Sequence, residues 1–151
     1  MAHARRKFHE ALQNDPPRAE YALGLFQQLY GIERRIRDEG LTGDAVVRLR
    51  QQEAMPVLQK LKTWMEQEYP AIVVKKSPIA QAIGYMLPRW EKLCIYTRDA
   101  RLNIDNNLVE NAIRPVAVGR KNYLFAGSHE AAQRAAMVYS LLATCKLHNI
   151  N

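Results

Sequence analysis

Along most of this chain apolar residues recur at alternating steps of three and four, the spacing of one buried helix face. From Arg18 to Arg37 they fall at Ala22, Leu25, Leu29, Ile32 and Ile36, with Leu23, Phe26 and Tyr30 widening the stripe. Glu33, Arg34, Arg35 and Arg37 read as lying mostly off it. A second long helix is predicted from Asp44 to Tyr69, on Ala54, Val57, Leu61 and Trp64, with Arg50 in phase with the stripe. A third runs from Ile79 through Ile83, Met86, Trp90 and Leu93 to Thr97. A fourth carries Leu108, Val109, Ala112, Ile113 and Val116, and a last one Ala131, Ala135, Val138, Leu142 and Cys145. Ala2 to Leu12 reads as a short basic helix with Arg5, Arg6 and Lys7 together. Ala71 to Lys76 is β-branched and fits either a short strand or a helix edge.

Breakers divide these patterns. Asn14-Asp15-Pro16-Pro17 suits a helix start, and Gly40 and Gly43 bracket a turn. Pro56 predicts a kink near Gln52 or Glu53, Pro70 an end, and Pro88 a second kink. Ser77-Pro78 and Ser128 read as helix caps. Pro115 should kink or shorten its helix, and Gly119 reads as its stop. The expected fold class is mainly α: a helical hairpin, then a cluster of three helices. The organisation expected is a hairpin region over 1–76 and a second region over 77–151.

Composition narrows the partner. Twenty-two Lys and Arg against 15 Asp and Glu give a net charge of +7 over 151 residues, with a pI near 9.6. A basic domain of this size suggests a polyanion, most simply DNA, or else a basic protein with no such partner. Cys94 and Cys145 read as reduced core residues, without metal-thiolate spacing. No apolar run reaches the ~20 residues of a membrane span, and none follows the basic N-terminus as in a signal peptide.

The densest stretch is DNNLVENAIRPVAVGRKNYLFAGS, residues 105–128. It closely resembles the C-terminal signature of the insertion-sequence transposases of family sixty-six, a DDE-type group. The resemblance continues through AAMVYSLLATCKLHNIN and includes HARRKF near the start and LYGIERRIRDEG at Leu29–Gly40. It implies a role in DNA transposition, with an RNase H-like core on which two aspartates and a glutamate hold two divalent ions, Mg or Mn. The glutamate of the asparagine-asparagine-x-x-glutamate motif maps onto Glu110. Both aspartates of the family precede the HARRKF segment. The chain is therefore expected to be the C-terminal part of a transposase, inactive and binding no metal alone. Its implied partners are DNA ends and target, the missing N-terminal part, or a second copy. The implied location is the bacterial cytoplasm, with the nucleoid. Asn111 stands where the family more often has arginine, which removes one candidate phosphate contact.

The residues also admit plainer accounts. Asn107-x-x-Glu110 has capping-box spacing, and Glu110 to Arg114 is a helical ion-pair spacing. On that reading Glu110 is structural; on the resemblance it is a metal ligand and catalytic. Arg114, Arg120 and Lys121 are candidate phosphate contacts. Tyr123 and Phe125 suit base stacking or anchoring of a loop bracketed by Gly119 and Gly127. Asp105 reads as a turn or cap residue. Two other classes stay open: a non-catalytic basic helical DNA-binding module, and a helical protein-interaction fragment.

Overall fold

The computed structural model describes residues 1–150 apart from 74–75 and 124–125, and omits the side chains of 108 and 120–123. Among the described residues the secondary structure is helical throughout, with no strand. The helices are α1 (Ala2–Glu10), α2 (Pro16–Asp38), α3 (Asp44–Leu49), α4 (Met55–Ile72), α5 (Pro78–Met86), α6 (Trp90–Cys94), α7 (Asn107–Tyr123) and α8 (His129–Leu147). By packing they form two units, Met1–Asp105 and Asn106–Asn151.

The first unit is built on the expected hairpin. Asp15 caps α2 by accepting from the Arg18 amide, with two prolines in the first turn where no amide is needed. Gly40 and Gly43, both at positive φ, make the turn that follows. Ion pairs fix the direction of the return. Arg18 at the start of α2 meets Glu68 late in α4, 2.6 Å away, while Arg35 near the end of α2 meets Glu53. The two helices are therefore antiparallel. Phe8 of α1 is wholly buried against them, its ring 5.8 Å from that of Phe26 and 6.3 Å from that of Trp64. Burying an aromatic of this kind stabilises by roughly 1.5–3 kcal/mol. Helix α5, capped by Ser77 through the Ala80 amide, packs on α1 and α4.

The prolines act in different ways. Ahead of Pro56 the helix widens into a single π-helical turn at Arg50–Ala54, the kink expected there. Pro88 tightens Leu87–Arg89 into a 3₁₀ turn between α5 and α6. Pro70 does not end its helix, contrary to the sequence reading: α4 runs on to Ile72, whose side chain is buried. A proline costs one backbone bond in a helix, and packing on both sides outweighs it here. The ambiguous stretch after it continues as helix edge up to Val73; residues 74–75 lie outside the described residues.

Two charges are in the core: Glu33, which reads as mostly off its stripe, and Arg50, which is in phase with its own. Arg50 is 2% exposed and Glu33 6%. Glu33 stands four residues after Leu29 and three before Ile36, so it belongs to the buried stripe of α2. Arg50 donates to both its carboxylate oxygens, at 2.9 and 2.7 Å. Its remaining nitrogen donates to the carbonyls of Tyr96 and Asp99, at 2.7 and 3.1 Å. Gln51 in the same π turn donates to the Thr97 carbonyl at 2.9 Å. One buried arginine thus ties α2, the π turn and the connector at 95–99 together.

Helices α7 and α8 form the second unit. Gly119 does not stop α7, which passes through it and through Pro115 to Tyr123. Helical glycine costs only ~1 kcal/mol relative to alanine, which does not by itself end a helix. Gly127 at positive φ and the Ser128 cap, 3.1 Å from the Ala131 amide, start α8 as expected.

Candidate functional site

The connector that leads to α7 is held at several points. Thr97 turns back on the Cys94 carbonyl at 2.9 Å. Asp99 accepts from the Arg101 guanidinium at 3.0 and 2.7 Å and from its amide at 2.9 Å, which holds its carboxyl down to about 2. The N-terminal amine donates to the Ile104 carbonyl at 3.0 Å. Tyr30 of α2 donates its hydroxyl to Asp105 at 3.0 Å. Burial first, and then this bond, push the Tyr30 phenol above its usual range. Asp105 is thus an anchor point for the connector, and Tyr30, read as core, reaches it. The sequence signal was slight: a tyrosine at the edge of an apolar stripe carries a polar tip.

Helix α7 begins two residues later. The Glu110 amide closes its first turn on the Asn106 carbonyl at 3.0 Å. The Glu110 carboxylate sits in that first turn, where the helix dipole favours an anion. Glu110 and Arg114 are both exposed, and the pair is not among the ion pairs of the described residues. By register alone Glu110, Arg114 and Lys121 share one side of α7, and Arg120 falls about a quarter-turn away. The side chains of Arg120, Lys121 and Tyr123, and Phe125 entirely, lie outside the described residues.

Chemically this is one carboxylate followed by cations. Among the described residues no group of three or more His, Cys, Asp and Glu side chains could hold a metal ion. Mg²⁺ takes several oxygen ligands, so Glu110 alone does not make a two-ion site. Asp99 is engaged by Arg101 and Asp105 by Tyr30, both within the first unit.

The rest of the second unit is unusual for a folded pair of helices. No described residue of 106–150 is buried. Val109, Ile113 and Val116 of α7 are 49%, 55% and 38% exposed, and Met137, Leu141 and Leu142 of α8 are 60% exposed or more. The apolar stripes are present as read, but they are uncovered. No helix of the described residues is long and apolar enough to cross a membrane.

Helical throughout its described residues and carrying a net charge of +7, the chain has the charge balance common among proteins that handle nucleic acid. Comparison gives the family. The model described as Transposase IS66 family matches residues 1–134, and the chain belongs to that family. Three proteins of Sinorhizobium fredii are similar over almost the whole chain. They are the uncharacterized proteins y4hP (35% identical over 163 residues), y4qI (36% over 151) and y4jD (31% over 152). The matched region covers 99–100% of this chain but only 28–29% of each relative. No solved structure matches the chain.

Proposed function

We propose that this chain works in DNA transposition as the C-terminal, glutamate-bearing part of a DDE transposase. The observation that carries the reading is the family match over residues 1–134, with Glu110 in the first turn of α7. Glu110 supplies one carboxylate to a divalent-metal site, Mg or Mn, completed by aspartates on an RNase H-like part of the whole enzyme. When bound, such ions would supply activation of an attacking oxygen and stabilisation of the leaving one, with Glu110 as one of their ligands. Arg114, Arg120 and Lys121 contact DNA phosphates, and the exposed faces of α7 and α8 pack on the rest of the enzyme. On this reading the chain by itself does not cut DNA, since Glu110 is a single carboxylate and a pair of divalent ions needs several oxygen ligands.

The test is Mn²⁺-dependent nicking and strand transfer on supercoiled DNA. The chain is assayed alone and after adding the remaining part of a family transposase, with Glu110→Gln in parallel. Activity only in the mixture, lost in Glu110→Gln, is the expected result. Cleavage by the chain alone, or by a mixture indifferent to Glu110→Gln, overturns the glutamate's role.

The net charge of +7 also supports a second reading, a non-catalytic basic DNA-binding module. On that reading Arg120→Ala with Lys121→Ala abolishes function and Glu110→Gln leaves it unchanged.

A further inference from the structure

The first unit has a surface feature that this reading does not use. A groove of about 810 Å³ runs between α1 and α2, with Arg5, Tyr30 and Arg34 at one end, Gln27 midway and Glu20 toward the other. Gly24 and Gly31 sit in its lining, and a Cβ at either would meet nothing within 4 Å. The groove floor at these two points is bare helix backbone, which an elongated ligand can approach closely.

Its charge is uneven. Arg18, Arg35, Arg50 and Arg101 are each matched by a carboxylate inside the first unit. Arg5 and Arg34 are exposed, and neither is in an ion pair among the described residues. Glu20 does not neutralise them. It precedes Arg34 by fourteen residues on one helix, roughly 20 Å at 1.5 Å per residue, well beyond the ~8 Å screening length at physiological salt. Asp105 is at the arginine end and accepts the Tyr30 hydroxyl; it keeps its charge, so this end holds two guanidinium groups against one carboxylate.

We infer that the Arg5–Arg34 end of this groove is a binding site for the phosphate backbone of duplex DNA, distinct from the cations of α7. The choice of DNA rests on the transposition reading above. Two guanidinium groups suit phosphate because each presents paired donors in a plane. The site also has a consequence for the chain's order. Tyr30, at that end of the groove, holds Asp105, the residue directly before the second unit. A backbone seated on Arg5 and Arg34 therefore lies beside the anchor from which the glutamate helix departs.

The experiment is fluorescence anisotropy of a labelled 30-base-pair duplex titrated with the intact chain across a range of salt. Each phosphate contact contributes about 0.9 to the slope of log affinity against log salt. Arg5→Ala with Arg34→Ala should lower that slope by about 1.8 and weaken binding roughly tenfold or more at 0.1 M salt. Arg48→Ala with Lys92→Ala removes the same net charge from exposed positions outside the groove lining, and should do clearly less. Gly31→Met fills the groove at unchanged charge and should also weaken binding. If the groove and control pairs lower the slope equally, or Gly31→Met binds like wild type, the groove site is wrong while the transposition reading stands. If the wild-type chain shows no salt-sensitive DNA binding, both fall together.

Discussion

The contact on which the first unit's polar order depends is between a glutamate that reads as mostly off its stripe and an arginine in phase with its own. Burying an ion pair is a poor source of net stability, but breaking one is costly because a lone charge stays behind. Arg50→Met leaves Glu33 buried without its partner and also releases the Tyr96 and Asp99 carbonyls. It should cost about 3–5 kcal/mol in urea unfolding, and adding Glu33→Leu should recover most of that loss. A double variant as unstable as the single would mean that the carbonyl bonds, not the carboxylate, are what Arg50 supplies. Cys94 allows a second test. It is buried, and burial above all pushes its thiol up to about 11. The thiolate is the reactive form. At pH 8 iodoacetamide should label half-buried Cys145 well before Cys94, read by peptide mass spectrometry, and Cys94 labelling should rise only as pH approaches 11. Equal labelling rates at pH 8 would overturn the burial argument. At this scale the sequence said which face is buried, not which charges meet on it. Glu33 and Arg50 are seventeen positions apart on different helices, and periodicity carries no information about partners.

At the scale of elements, glycines show where helices approach one another. Gly84 of α5 is where the absence of a side chain matters: an added Cβ would stand 2.9 Å from the Tyr69 hydroxyl of α4 and 3.5 Å from its ring. Alanine in a helix interior otherwise gains about 0.5–1 kcal/mol over glycine. Gly84→Ala should therefore stabilise a Tyr69→Phe background by about that amount, and do less, or destabilise, where the hydroxyl is present. Thermal or urea unfolding of the four proteins of this cycle decides it; no interaction between the two changes would mean that α4 and α5 yield freely at this contact. Helix starts were legible because capping is local chemistry: Asp15, Ser77 and Ser128 each accept from an amide three residues on. Helix ends were less so. Pro70, Pro115 and Gly119 are breakers by propensity, yet α4 and α7 run through them. A local penalty of one to a few kcal/mol is decided by what surrounds it, and a linear pattern does not contain that.

The chain joins one unit with a core to one in which no described residue is buried. Phe8, Phe26, Leu29, Leu58, Leu61 and Met65 are almost wholly buried in the first, whereas no described residue of 106–150 is buried. Helices of seventeen and nineteen residues owe most of their stability to packing of the apolar face, and isolated helices near that length are marginal in water. Helices α7 and α8 should therefore open far more often than α2 and α4. Amide exchange should be fast from 106 to 150 and slow across α2 and α4. Brief trypsin treatment should cut at Arg120, Lys121, Arg134 and Lys146 before any site in the first unit, Arg114 being protected by Pro115. If the second unit resists as well as the first, its faces are covered by another copy, and that resistance should fade on dilution. If it stays protected at every concentration, the two helices are stable without a partner, and the uncovered stripes are not a docking face. The stripes were legible in the sequence because amphipathic spacing is intrinsic to each helix. Their partner was not, since a spacing pattern says that a face is to be buried and not by what. The matched region spans less than a third of the relatives' length, so they carry ample further polypeptide that could supply such a surface. Mixing the chain with the remaining part of a family transposase should then slow both exchange and cleavage in α7 and α8 while leaving the first unit unchanged.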